Sequence, residues 1–230
     1  MKKIWLVLFA AMPIGLLAQT VTYTINGTLK NMALSHVYLF YGRDGKLVVD
    51  SAAVKNGRYT FTGTLPDRTT ATLSDGAIGG YQARSIKMTQ VFLANESFTV
   101  THTDSFTNIT ITGSNANRLL DEYHKAIRPY EDKLKDVMTK SFQAKRANDT
   151  TTLNAIRKEA QANSQEMREK VIYPFIKGHP DSDVALFILN EDAARDKNKQ
   201  MLQTLFDGLN DTLKNSPSGK NLQTRLAAMK

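Results

Sequence analysis

Lys46-Leu47-Val48-Val49-Asp50-Ser51-Ala52-Ala53-Val54-Lys55-Asn56-Gly57-Arg58-Tyr59-Thr60-Phe61-Thr62-Gly63-Thr64-Leu65 decides the fold. Two β-rich runs flank an Asn-Gly pair. That pair supplies the two positive-φ residues of a type I′ turn, whose twist matches that of paired strands. Tyr59, Phe61, Gly63 and Leu65 alternate with Arg58, Thr60, Thr62 and Thr64. A strand so patterned buries one face and wets the other. The stretch predicts a hairpin that sets the register of a β domain.

Working outward, the same period of two holds from Thr20 to Gly113. Val21, Tyr23 and Ile25 alternate with Thr22, Thr24 and Asn26, and Val37, Leu39 and Tyr41 make a second run. Asp44-Gly45 turns that run back. Further apolar runs lie at 69–73, 86–93, 98–100 and 109–111, separated by turn residues. About eight short strands at this spacing predict a sandwich or barrel. No helical pattern interrupts them, so antiparallel pairing is expected.

At Gly113-Ser114-Asn115 the period lengthens. Leu120, Tyr123, Ile127, Tyr130, Leu134 and Val137 recur at near-heptad spacing, and Ser114 or Asn115 suits the N-cap. Pro129 should kink this helix. Asn148-Asp149-Thr150 breaks it, and Leu153, Ile156, Ala160, Met167, Val171 and Phe175 form a second stripe. Two such helices predict a long αα-hairpin. Gly178 and Pro180 end it. Shorter helices follow around Val184–Leu189, Met201–Leu213 and Leu222–Met229. The fold class is therefore α+β, an N-terminal antiparallel β-sandwich or barrel-like domain at 20–113 and a helical region at 114–230.

The first eighteen residues read differently. Lys2 and Lys3 precede an apolar run from Ile4 to Leu17, and Ala18 follows. The run is shorter than the ~20 residues that span a bilayer. Residues 1–18 are expected to be a cleaved signal peptide, which places the mature chain in the periplasm or outside the cell. No transmembrane span is expected after cleavage.

The 230 residues contain no cysteine, which excludes disulfides, thiolate nucleophiles and cysteine-ligated metals. The net charge of +8 is spread along the chain among acids rather than clustered with aromatics, so no nucleic acid is expected as partner. His36, His102, His124 and His179 are too far apart in sequence for a helical ligand pair. The chain has no Gly-x-Ser-x-Gly elbow, no phosphate loop and no dinucleotide fingerprint. Gly76-Ala77-Ile78-Gly79-Gly80 reads as a surface loop. Asp50 is odd inside an apolar strand; the expected reading is a satisfied structural carboxylate, and the alternative is a binding contact. Asp121-Glu122, Glu131-Asp132 and Glu191-Asp192 read as solvated helix faces. No catalytic, cofactor-binding or metal-ligating residue is assigned.

Several stretches carry a resemblance. They are Val49-Asp50-Ser51-Ala52, Asn56-Gly57-Arg58-Tyr59-Thr60-Phe61-Thr62-Gly63, Val91-Phe92-Leu93 with Glu96, Gly113-Ser114-Asn115-Ala116-Asn117, Tyr173-Pro174-Phe175-Ile176 and His179-Pro180-Asp181-Ser182. With the first four the β half resembles a domain of unknown function at the front of Bacteroidetes envelope proteins of the thiol-disulfide oxidoreductase and peroxiredoxin-like group, and with the last two the helical half resembles that group's connecting region. The resemblance implies a following thioredoxin-like domain with a Cys-x-x-Cys pair. These residues hold no such pair, so no catalytic residue carries over. The expected function is a non-catalytic envelope binding or scaffold module, its partner an unknown envelope protein or a small ligand. The alternative is an accessory front part of a redox system, with a thioredoxin-like protein as partner.

Overall fold

The computed structural model describes residues 20–43, 45–76 and 87–229. Among these residues eight strands form two four-stranded sheets, and helices follow. The strands are β1 Val21–Leu29, β2 His36–Arg43, β3 Lys46–Ala53, β4 Arg58–Leu65, β5 Thr69–Ser74, β6 Met88–Leu93, β7 Ser97–His102 and β8 Ile109–Thr112. One sheet has the order β4-β1-β7-β8 and the other β3-β2-β5-β6. Inward residues of both, among them Ile25, Leu39, Leu73, Val91 and Val100, make a dry core with no exposure.

Two expectations need correction. Asn56 and Gly57 do adopt φ of 51° and 69°, and Lys55 and Arg58 exchange backbone hydrogen bonds of 2.9 and 3.0 Å. Yet β3 and β4 belong to different sheets, so the turn is the arch between them rather than the tip of a hairpin ladder. The register of β4 is set instead by β1, where Tyr23 faces Gly63, Ile25 faces Phe61 and Gly27 faces Tyr59. A Cβ on Gly27 would overlap the Tyr59 ring, and one on Gly63 would meet the Tyr23 ring. Aromatic rings lying over glycine backbone choose the partner that the local turn signal leaves open. The second correction concerns direction. Five ladders are antiparallel, but β1 and β7 run parallel, with Ile25 opposite Phe98. The crossover between them is the intervening strands, including those of the other sheet, so no helix is needed.

Helix α1 (Asn115–Arg146) is capped by Ser114 and runs on through Pro129. Helix α2 (Thr150–Met167), capped by Asp149, returns alongside it as the expected αα-hairpin. A π turn at Arg168–Ile172, not foreseen, joins α2 to α3 (Tyr173–Gly178). Helices α4 (Asp183–Ala193), α5 (Lys199–Asp207), α6 (Asp211–Asn215) and α7 (Pro217–Ala228) complete the chain. The single stripe expected at 201–213 is split because Asn210 caps α6. Phe92 and Ala94 join the helical core with Leu119, Leu120, Ile188 and Leu189, so the β6 end of the sandwich is where the two parts meet. Among the described residues no helix is long and apolar enough to cross a membrane.

Candidate functional site

The junction of sandwich and helices begins at Ser114. Its hydroxyl accepts from the Asn117 N–H at 2.9 Å and donates to the Glu96 carboxylate. This fixes the first turn of α1 against the β6–β7 turn. Asn117 is then held with its carboxamide on the free edge of β6. Its Oδ1 accepts from the Phe92 N–H at 2.8 Å, and its Nδ2 donates to the Phe92 carbonyl at 2.9 Å. Both groups are buried. A side-chain amide thus satisfies an edge residue as a neighbouring strand would.

Beyond Asn117, α1 leans over the open side of the sandwich and leaves a groove of about 550 Å³. Its floor is formed by Ile109, Ile111 and Leu120, and one rim by Thr89 and Gln90 of β6. The other rim is a single helical face, Arg118, Asp121, His124, Lys125 and Arg128, spaced as one side of a helix requires. Arg118 pairs with Glu122 and Lys125 with Asp121, each at 2.6 Å and largely exposed. Among the described residues Arg128 makes no salt bridge, although its charge is felt at Asp132, which pairs with Lys135. Burial pushes the His124 imidazole below its ordinary value despite Glu131 and Asp121. The groove offers cations, edge backbone and an apolar floor.

A second polar cluster lies at the π turn. The Arg168 Nε stands 2.9 Å from Asp192 Oδ1 and 3.7 Å from Asp196 Oδ2, and the Tyr173 hydroxyl donates to Asp196 at 2.5 Å. Burial pushes Asp192 up, against the pull of Arg168. The solvated face expected at Glu191-Asp192 is thus corrected for Asp192, which is buried. Asp192 lies on the packed side of α4, where Arg168 reaches it, while its neighbour Glu191 is exposed. A π turn widens the helix locally, and here it occurs where Arg168 meets that carboxylate. The cluster ties α4 to the hairpin.

The other sequence candidates scatter. Asp50 is half-buried and accepts from the Ser51 N–H at 2.8 Å. His36 is exposed, His179 lies against Phe175, and His102 is fully buried against Tyr59 and Phe106. No three metal-ligating side chains gather among the described residues. Asp132 pairs with Lys135 on the exposed helix surface, as expected of Glu131-Asp132. Ala77-Ile78-Gly79-Gly80 and the signal peptide expected at residues 1–18 lie outside the described residues. The groove itself was missed by sequence reasoning. Its signal was present in the helical spacing of Arg118, His124, Lys125 and Arg128, but nothing local said that a sheet edge would face them.

Residues 23–120 match the family model described as Domain of unknown function (DUF4369), which spans the sandwich and the first turns of α1 including Asn117. No curated protein and no solved structure matches the chain.

Proposed function

We propose that this chain is a non-catalytic, exported binding or scaffold module of the bacterial cell envelope. The observation that carries the binding part is the groove between α1 and the open edge of the sandwich, with its cationic rim and apolar floor. Sites of this make-up bind by shape and charge. Export rests on the basic start, apolar core and small Ala18 of residues 1–18. The partner is an envelope component that presents itself to the groove. Affinity capture from envelope extract on the immobilised mature chain tests this reading. A partner recovered saturably, and lost with Arg128→Glu, supports it. Recovery no different from a blocked resin, with natively folded bait, would sink it.

The accessory redox reading is supported by the resemblance, whose residues overlap the matched region 23–120. On this reading the chain works beside a thioredoxin-like protein. Having no cysteine, it supplies no thiolate of its own. The purified chain should therefore reduce no insulin alone. Turnover above buffer in a thioredoxin-free preparation would overturn the non-catalytic assignment.

A further inference from the structure

Strand β6 ends one sheet and β8 the other, and both line the groove. The backbone of β6 has a definite parity. The Asp75 N–H reaches the Lys87 carbonyl at 3.4 Å, on the same register line as the β5–β6 ladder. Hydrogen-bonded and non-bonded pairs alternate along an antiparallel ladder. Leu73–Thr89 and Ala71–Val91 are therefore the bonded pairs, and the N–H and C=O of Met88, Gln90 and Phe92 point away from β5. At Phe92 the Asn117 carboxamide takes up both groups. At Gln90, two residues along the same edge and on the groove, no group among the described residues does so.

We propose that β6 accepts an extended peptide strand carrying acidic side chains, which pairs with the Gln90 N–H and C=O and turns its carboxylates towards Arg118, Lys125 and Arg128. Asn117 presents to Phe92 the same donor–acceptor pair that a peptide unit would present to Gln90. Strand addition of this kind draws affinity from main-chain bonds and selectivity from side chains. Ile109, Ile111 and Leu120 seat the alternate, inward side chains. Three cations against the one carboxylate of Asp121 line the groove and set the sign of the partner. The exposed pairs Arg118–Glu122 and Lys125–Asp121 are weak and exchange readily for an incoming carboxylate.

The proposal rests on the binding-module reading and can fail separately from it. The probes are fluorescein-labelled, end-blocked octapeptides of alternating threonine and glutamate or threonine and lysine, followed by anisotropy. The glutamate peptide should bind saturably, and the lysine peptide should bind about tenfold more weakly or worse. Gln90→Pro should weaken the glutamate peptide by about tenfold while keeping the thermal midpoint, because that N–H makes no ladder bond and proline is tolerated on edges. Gln90→Ala should bind within about twofold of wild type, since only the main chain is used. Arg128→Glu should weaken binding several-fold. Unchanged binding in Gln90→Pro, equal binding of both peptides, or no saturable binding of the glutamate peptide overturns the proposal. An envelope partner captured equally by wild type and Gln90→Pro would overturn it while leaving the binding-module reading intact.

Discussion

The Tyr59 hydroxyl and His102 Nε2 lie 2.7 Å apart in the sandwich core, joining residues 43 apart in sequence. His102 has no exposure, and its ring centroid is 4.1 Å from that of Phe106. Its Nδ1 lies by the Ser105 backbone without a hydrogen bond of regular geometry. Burial lowers the imidazole from 6.5 to about 4. Between those values the unfolded chain takes up a proton that the native core refuses. This contribution to stability is full above about pH 6.5 and is lost as pH falls towards 4, by up to about 3 kcal/mol. Urea midpoints measured from pH 7.5 down to 4 should fall accordingly. His102→Gln cannot titrate and keeps an amide to meet Tyr59, so its slope over that window should flatten. An unchanged slope would refute the assignment.

The Tyr59 ring also occupies the space a side chain at Gly27 would need. Gly27→Ala must displace the ring from a core it shares with Phe61 and His102. Overpacking of this kind costs about 2–3 kcal/mol. The cost should shrink in a Tyr59→Leu background, because the colliding ring is gone, and a double-mutant cycle by chemical denaturation reads the coupling. Additive losses would show that the two residues do not touch.

Much of this was legible beforehand, and the failures have one cause. Alternation in Val21–Ile25 and Tyr59–Leu65 gave strands whose inward residues are the buried ones. Ser114 and the Asn148-Asp149-Thr150 break are where helices begin. These signals are local. Which strand lies beside β4 is not, because Asn56-Gly57 specifies a turn equally well within a sheet or between two. The partner was written in two glycines, Gly27 and Gly63, each opposite a tyrosine far along the chain. The groove escaped for the same reason. Asn117 looks like an ordinary first-turn residue until β6 arrives beside it.

Asn117 separates helix electrostatics from strand completion. It is the third residue of α1, where an aspartate should gain about 0.3–1 kcal/mol from the helix dipole. Yet a carboxylate can accept from the Phe92 N–H but cannot donate to the Phe92 carbonyl, and that buried acceptor would lose its partner at a cost of about 1–3 kcal/mol. The second effect is the larger. Asn117→Asp should therefore lower the urea midpoint at pH 7, despite its near-identical shape, and Asn117→Ala should do so as well. A more stable Asn117→Asp would mean that the carboxamide does not complete the strand edge.

Export has an inexpensive spectroscopic test because Trp5 is the sole tryptophan and lies in the apolar run of the proposed signal. Lys2 and Lys3 supply the basic start, and the run from Ile4 to Leu17 is long enough for a signal core but short for a stable span. Ala18 is the best small residue for a cleavage edge, and a cut there would make Gln19 the first residue of the mature chain. Leu16 is larger than the small residue usual two positions earlier, so the cut can shift by a few residues without changing the outcome. Any cut in this neighbourhood removes Trp5. Protein recovered from its native envelope should emit from its tyrosines alone, with an intact mass lowered by the signal. The same chain made without its export machinery should show indole emission. Tryptophan emission from the native material, or Met1 found at its N-terminus, would show that the segment stays on and would favour a membrane anchor in its place.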